Sequence, residues 1–165
     1  MSIMFLITAV TLIASAAFTQ ADTAVAFSAG LTHNVNISHA ENVVYDKVFT
    51  NIGGGYDNNT GIFNVPTSGI YVFQFHTLSR QDKSSWLELY HNAYYIASIY
   101  GHTVNDFASG GNSVVLKLTK GDQVYVKAVD KSYGVDTNIY GRQNEIYSTF
   151  SGYMIAPVYE EIPVG

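Results

Sequence analysis

Apolar side chains along most of this chain alternate with polar ones at a spacing of two residues, the period of a β-strand. The clearest case is the segment 69–79, where Tyr71, Phe73 and Phe75 fall on one face of a strand and are expected in the core or at a subunit contact. Clusters of Gly, Asn, Asp and Ser interrupt the alternation about every ten residues, as turns do in all-β domains. The pattern therefore predicts an all-β fold.

The same alternation sets the number and limits of the strands. It predicts ten short antiparallel strands at 24–30, 43–50, 60–65, 69–79, 85–91, 94–100, 112–119, 122–130, 136–142 and 147–156. Ten such strands in one domain favour a two-sheet sandwich or jelly roll. We expect this domain at residues 22–158 and a loose tail at 159–165.

The first residues have a different pattern. An uncharged apolar run from Ile3 to Ala14 is followed by small residues. A membrane span needs about 20 apolar residues, so this shorter run instead fits the apolar region and cleavage site of a secretory signal. The prediction is a signal peptide at 1–21, cleaved after Ala17 or Ala21, and a secreted protein with no membrane span. Two glycosylation triplets then become relevant, at Asn36 and Asn58.

The amino-acid composition excludes several classes of function. The chain has 8 Lys plus Arg and a net charge of −5, which argues against nucleic acid because such binding relies on basic residues. The absence of cysteine excludes disulfides and thiolate chemistry. Aromatic residues make up 14% of the chain, and strands such as 93–97 are apolar on both faces. Faces of that kind are covered by a second sheet or by another subunit, so we expect an obligate oligomer.

The histidines and carboxylates follow no catalytic pattern. The five histidines, at 33, 39, 76, 91 and 102, show no metal-hydrolase spacing, and no nucleophile motif occurs. The sequence therefore predicts no enzyme and no catalytic residue.

One stretch is specific enough to indicate a family. The segment 45–75, YDKVFTNIGGGYDNNTGIFNVPTSGIYVFQF, resembles the signature of the globular head domain of the complement C1q family. Further blocks at 26–30, 111–126 and 149–155 also match, so the resemblance covers nearly all of the chain after the signal. Tyr45 is a mild departure, because the signature usually has Phe there.

The resemblance implies a ten-strand jelly roll like that of the tumour necrosis factor superfamily, assembled as a homotrimer. The chain is similar to short secreted head-only members of invertebrates, which are associated with innate immunity. The function so implied is a pattern-recognition lectin that binds microbial carbohydrate or lipopolysaccharide non-covalently through three sites per trimer. The alternatives are an extracellular matrix protein and a receptor-binding ligand using the same trimer.

Two loops have the side chains for sugar recognition, which combines hydrogen-bonding groups with an aromatic surface. The first loop, at 79–86, contains Arg80, Asp82, Lys83 and Trp86. The second, at 130–138, contains Tyr133 and Asp136 and is joined by Arg142. Either loop is alternatively a plain solvated turn, and Trp86 is alternatively a packed residue.

No cofactor is required by this reading, although calcium is a candidate. Several members of the family hold calcium in a loop before the strand that matches 113–119. The loop here is 103–110, in which Asn105 and Asp106 offer oxygen ligands, but Phe107 replaces a residue that is a ligand in some relatives. The alternative is an Asn-Asp turn that satisfies its own backbone.

Overall fold

A computed structural model describes residues 24–159. Over this range the chain forms twelve strands, which are β1 (Ala26–Gly30), β2 (Val35–Ile37), β3 (Lys47–Ile52), β4 (Tyr56–Asp57), β5 (Ile62–Asn64), β6 (Gly69–Leu78), β7 (Ser84–His91), β8 (Tyr94–His102), β9 (Ser109–Leu118), β10 (Gln123–Ala128), β11 (Thr137–Ile139) and β12 (Thr149–Pro157). A single 3-10 turn lies at Lys131–Tyr133 in the same range. Nothing helical between residues 24 and 159 has the length and apolar character needed to cross a membrane. The predicted signal peptide and the tail beyond Tyr159 lie outside the described residues.

The strands form two five-stranded antiparallel sheets. The first sheet has the order β3-β1-β12-β6-β9 and the second β4-β5-β10-β7-β8, while β2 and β11 form a separate pair. The all-β, two-sheet prediction is confirmed. The alternation of the sequence explains it, since buried and exposed positions alternate along β6, β7 and β10.

Aromatic rings fill the space between the sheets. The Phe27 ring centroid lies 4.7 Å from that of Phe63 and 4.8 Å from that of Phe150. Tyr71, Phe73 and Phe75 are fully buried, as the alternation predicted. Such rings bury large apolar areas and gain further from edge and stacked contacts, so they stabilise a domain that has no disulfide.

The structure differs from the prediction around residues 35–57. The strands β2 and β4 were not predicted, and the strand predicted to begin at 43 begins at Lys47. Val43 and Tyr45 are buried, but side-chain contacts replace much of the sheet pairing there. The Tyr56 hydroxyl accepts a hydrogen bond from the Tyr45 amide and donates one to its carbonyl, both at 3.1 Å. A pattern of apolar residues cannot distinguish a segment held by side-chain hydrogen bonds from one paired in a β-sheet.

The last strand is inserted into the middle of the first sheet. In the ladder of β12, Gly152 lies opposite Phe73 of β6 on one side and Phe27 of β1 on the other. A β-carbon on Gly152 would come within 2.6 Å of the Phe73 ring and 2.7 Å of the Phe27 ring. The two large rings therefore require glycine at this position.

The outward face of the first sheet carries an apolar row. The register aligns five side chains across the strands, namely Ile52, Ala26, Tyr153, Val72 and Val115. Val115 is 62% exposed and Ile52 is 52% exposed in the single chain. A contiguous apolar row of this kind marks a face that is covered in an assembly.

Candidate functional site

The outward face of the second sheet concentrates aromatic side chains. On β7 the residues Trp86 and Tyr90 point outward, because Leu87 and Leu89 between them are buried in the core. The register places Tyr125 of β10 beside Tyr90, and their rings stack at 5.7 Å with 5° between their planes. The inner face of the second sheet is buried in the core, and its outer face therefore carries aromatic side chains that the core does not use.

A cavity of about 430 Å³ opens on this face. It lies within the range of small-molecule sites, about 300–1,000 Å³. The residues that line it are Ala40, Trp86, Glu88, Tyr90, Tyr95, Lys127, Ala128, Val129, Asp130 and Tyr133. Aromatic and charged groups together make it the strongest candidate for a ligand site in the described part of the chain.

The 3-10 turn holds Tyr133 over the cavity. The Asp130 carboxylate accepts the Ser132 amide at 2.8 Å, and the Gly134 amide donates to the Lys131 carbonyl at 2.7 Å. Gly134 has a φ of 86°, a left-handed conformation that glycine adopts without strain. Tyr133 is 72% exposed and lies 6.2 Å from Trp86 between ring centroids, so it forms an outer wall of the cavity.

A cation and a carboxylate form the floor between the walls. Lys127 on β10 and Glu88 on β7 are directly opposite in the ladder. The Tyr90 hydroxyl donates to Glu88 Oε2 at 2.8 Å, and this hydrogen bond to a carboxylate, with burial, raises the pKa of Tyr90 to about 12. The Lys127 ammonium lies 5.7 Å from the centre of the Tyr90 ring. Neither Lys127 nor Glu88 forms an ion pair within residues 24–159.

The six predicted ligand residues are spread over several places. Tyr133 is in the cavity. The others are not among its lining residues. The three from the first loop, Arg80, Asp82 and Lys83, lie between β6 and β7.

The two remaining residues of the second loop form ion pairs with neighbours. Asp136 Oδ1 lies 3.9 Å from Lys131 Nζ, and Arg142 Nη1 lies 3.1 Å from Glu145 Oε1. The charged groups of Asp136 and Arg142 therefore contact neighbours in the same part of the chain. Trp86 packs edge-on against Tyr100, with 5.7 Å between ring centroids, and also lines the cavity. Its predicted part in sugar recognition stays a prediction.

Four polar or aromatic cavity residues lie outside both predicted loops, namely Glu88, Tyr90, Tyr95 and Lys127. Asp130 begins the second predicted loop but was not among the predicted ligand residues. The available signal was the outward-facing position of Glu88 and Tyr90 in the alternation of one strand and of Lys127 in another. What the sequence lacks is the pairing of these strands, which brings together residues about forty positions apart.

The candidate calcium loop contacts the first sugar loop. Asp82 Oδ1 accepts a hydrogen bond from the Asn105 amide, and the Asp82 amide donates to the Asp106 carbonyl at 3.1 Å. Asp106 Oδ1 accepts the Phe107 amide at 2.8 Å. Calcium takes about 6 to 8 oxygens, and residues 24–159 contain no group of three or more His, Asp or Glu placed to hold a metal. The Asp106 carboxylate satisfies an amide of its own loop, as the alternative predicts, whereas the Asn105 amide finds its acceptor in the first sugar loop. Calcium binding by Asn105 and Asp106 stays a prediction.

Both predicted glycosylation sites are at the surface. Asn36 is exposed on β2, and Asn58 is exposed in the turn after β4. Thr60 of the second triplet donates its hydroxyl to Asp57 Oδ2 at 3.1 Å. Attachment of a glycan at either position stays a prediction.

The two sheets are arranged as a jelly roll, and comparison with solved structures agrees. The globular domain of the zebrafish complement 1qA protein superposes with a TM-score of 0.66 at 20% identity, covering 81% of this chain and 99% of that one. The Eiger TNF structure from S. frugiperda gives 0.62 at 17% identity, covering 85% and 98%. Murine APRIL gives 0.61 at 12% identity, covering 80% and 99%.

The sequence comparisons define the family. The model of the C1q domain matches residues 26–155, and the chain therefore belongs to the C1q domain family. It is similar to complement C1q tumor necrosis factor-related protein 3 of Mus musculus, at 32% identity over 79% of this chain and 51% of that protein. Protein 6 of the same series, also from Mus musculus, is 30% identical over 79% and 49%. The chain thus spans about half the length of the curated relatives it matches.

Membership of the C1q domain family confirms the resemblance and indicates the general class of protein. Domains of the C1q and TNF type are non-enzymatic ligand or recognition proteins, typically form trimers and generally need no cofactor. The aromatic cavity and the apolar row are the two surface features of this chain from which a function is proposed below.

Proposed function

We propose that the protein is a secreted, homotrimeric recognition protein of innate immunity that binds microbial carbohydrate or lipopolysaccharide non-covalently. The observation that carries this proposal is the cavity walled by Trp86 and Tyr133 and floored by Lys127 and Glu88. Sugars have apolar C–H faces that pack on aromatic rings and hydroxyls that need donors and acceptors at fixed positions. The cavity offers both kinds of group within one concave surface.

Assembly as a homotrimer supports this function. The apolar row on the first sheet is on the opposite side of the sandwich from the cavity, so that covering the row leaves the cavity open. Three cavities on one trimer would raise the avidity for a surface that repeats the same sugar, without any new contact.

A receptor-binding ligand is the second candidate. It is favoured by the likeness of the fold to Eiger TNF and murine APRIL. Exposed aromatic side chains such as Tyr94, which is 74% exposed, are also what a protein partner would bury. An extracellular matrix protein built on the same trimer is the remaining alternative, and it needs no sugar cavity.

The deciding experiment is a screen of glycans and lipopolysaccharides on the purified secreted protein, after its mass in solution has been measured. Selective binding by a trimer supports the lectin function. The same screen with a chelator tests calcium, because loss of binding would assign a role to Asn105 and Asp106. A folded trimer that binds no glycan would contradict the lectin function and favour the receptor or matrix alternatives.

A further inference from the structure

We propose that the cavity on the second sheet selects uncharged sugars, and that it binds a pyranose ring through two adjacent free hydroxyls. This inference rests on the proposed carbohydrate function and specifies it. Acidic sugars and the phosphate groups of lipopolysaccharide are then excluded from this cavity. Binding is also independent of calcium.

The walls determine how the ring enters. Tyr133 and Trp86 are tilted by 59° to each other, and Tyr95 stands at 79° to Tyr90. The ring centroids are only 6.2 Å apart in the first pair and 6.3 Å apart in the second, so the two rings of each pair touch each other. A saturated six-membered ring can therefore enter the cavity edge first and pack its C–H groups against the exposed surfaces of these pairs, not between the two rings of one pair. The edge that enters carries hydroxyls, and these reach the floor.

The floor supplies one donor and one acceptor side by side. Side chains directly opposite in an antiparallel ladder have β-carbons about 5 Å apart, and Lys127 and Glu88 are such a pair. The ammonium group only donates hydrogen bonds and the ionised carboxylate only accepts them. Of two adjacent hydroxyls, one can accept from Lys127 while the other donates to Glu88. Glu88 Oε1 is available for this, because the Tyr90 hydroxyl uses Oε2.

Charge decides between sugar classes. The cavity contains the carboxylates of Glu88 and Asp130 and the single ammonium of Lys127, so its formal charge is negative. An acidic sugar would bring a third carboxylate into this space, and like charges brought together at an interface reduce affinity. An uncharged sugar meets no such penalty, and its affinity should vary little with ionic strength.

The chain contains a built-in reporter for the test. Trp86 is its only tryptophan and forms one wall of the cavity, so its fluorescence responds to what enters there. The intact trimer is titrated with the methyl glycosides of glucose, galactose and mannose, and with methyl glucuronide, with and without chelator. Glucoside and glucuronide differ only by the carboxylate. Calorimetry detects binding at any site, whereas the Trp86 signal detects binding in the cavity.

Paired variants test the assigned roles. Glu88→Gln and Lys127→Met each remove a charge-assisted hydrogen bond, so each should weaken neutral-sugar binding about tenfold or more. Tyr133→Ala removes an exposed wall and should also weaken binding. The controls are Lys120→Met in the turn between β9 and β10 and Tyr94→Ala on β8, which lie outside the cavity lining and should leave affinity unchanged.

The possible results separate the two proposals. A neutral glycoside that produces heat and a Trp86 signal, both unaffected by chelator, supports the inference. Heat without a Trp86 signal and without sensitivity to Tyr133→Ala places the sugar elsewhere, which overturns the inference but not the lectin function. Tighter binding of the glucuronide than of the glucoside overturns it as well. No heat with any glycan contradicts both.

Discussion

At the scale of single residues, two tyrosines in the core use their hydroxyls differently. The Tyr56 hydroxyl bridges the amide and carbonyl of Tyr45. The Tyr45 hydroxyl is buried and has no hydrogen-bond partner among residues 24–159. Burial raises the pKa of both hydroxyls, so both are neutral at neutral pH. One hydroxyl therefore contributes to stability while the other carries an uncompensated desolvation cost.

Removing each hydroxyl should have opposite effects. We expect Tyr45→Phe to raise the free energy of unfolding by about 1 kcal/mol, because the buried group has no partner to lose. Tyr56→Phe should lower it by about 1–2 kcal/mol, because two backbone groups of Tyr45 lose their partner. Denaturant unfolding of both variants at equal protein concentration measures the difference. Equal destabilisation by the two changes would contradict this account.

The sequence predicted the polarity of most single positions but not their partners. The alternation correctly placed Tyr71, Phe73 and Phe75 in the core. Tyr45 was recognised as a departure from the usual Phe, but the sequence does not tell whether an added hydroxyl finds a partner. That outcome depends on neighbours from distant strands, which alternation does not specify.

At the scale of elements, one carboxylate ties two hairpins together. Asp122, after the turn between β9 and β10, accepts hydrogen bonds from the Asn92 side chain at 3.0 Å and the Thr119 amide at 2.8 Å. Its Oδ2 also lies 3.1 Å from His91 Nε2. The Asn92 amide in particular holds the pKa of Asp122 below its ordinary value. The ionised form thus fastens the β7–β8 turn to the β9–β10 turn.

This link should make stability depend on pH. Because the folded-state pKa of Asp122 is lowered, its contribution is complete above the unfolded pKa of about 3.9 and is lost as pH falls through the folded value. We expect Asp122→Asn to lower the free energy of unfolding at neutral pH by about 1–3 kcal/mol. Its stability should then fall less steeply than that of the unchanged protein between about pH 5 and 3.

Denaturant unfolding across this pH range checks the prediction. The control is Asp136→Asn, whose carboxylate is half exposed beside Lys131 and should matter little. Three other carboxyls, those of Asp46, Asp57 and Asp130, also have lowered pKa values, so part of the acid sensitivity should persist in Asp122→Asn. Identical pH profiles for Asp122→Asn and the unchanged protein would contradict the assigned role.

The tight packing of β12 gives a second element-scale prediction. Gly152→Ala would place a methyl group against the Phe27 and Phe73 rings, and we expect a loss of about 1–3 kcal/mol in the free energy of unfolding. Gly121→Ala is a useful comparison, because its site has open space and only an unfavourable φ of 94°. A thermal melt in which Gly152→Ala is no less stable than the unchanged protein would contradict the packing.

Element positions were predicted better than element pairings. Long strands such as β6 and β10 have clear alternation and lie close to their predicted limits. The short strands β2 and β4 have too few residues to show a period, and they exist because other strands offer pairing partners. The cavity depends on the pairing of β7 with β10. For that reason the sequence offered only Tyr133 and, as one of two alternatives, Trp86 among its polar and aromatic lining residues as ligand candidates.

At the scale of the whole molecule, the outward faces of the two sheets differ in the side chains that they expose. The first sheet turns an apolar row outward, whereas the second carries the cavity. We expect Val115→Glu to dissociate the proposed homotrimer, because three unpaired carboxylates would be buried in that assembly. A cost of 3 kcal/mol or more per site would weaken assembly by over about a hundredfold.

Light scattering at low micromolar concentration measures this effect. Tyr133→Glu, which adds the same charge on the opposite face, should leave the mass unchanged. If Val115→Glu kept the mass of the unchanged protein, the apolar row would not be the assembly face. The excess of aromatic residues in the sequence predicted an oligomer, but only the register of the sheet shows which side chains form a continuous row.

The place of β12 in the first sheet also bears on the order in which the chain folds. The strands β1 and β3 can pair early, as can β6 and β9, yet β12 alone joins these two halves. A ribosome delivers β12 last of all the described strands, so the first sheet stays open along two edges until β12 has been synthesised. Such distant pairings slow folding and leave unpaired edges exposed meanwhile. Assembly through the apolar row must therefore follow the insertion of β12, because Tyr153 of that row lies on this strand.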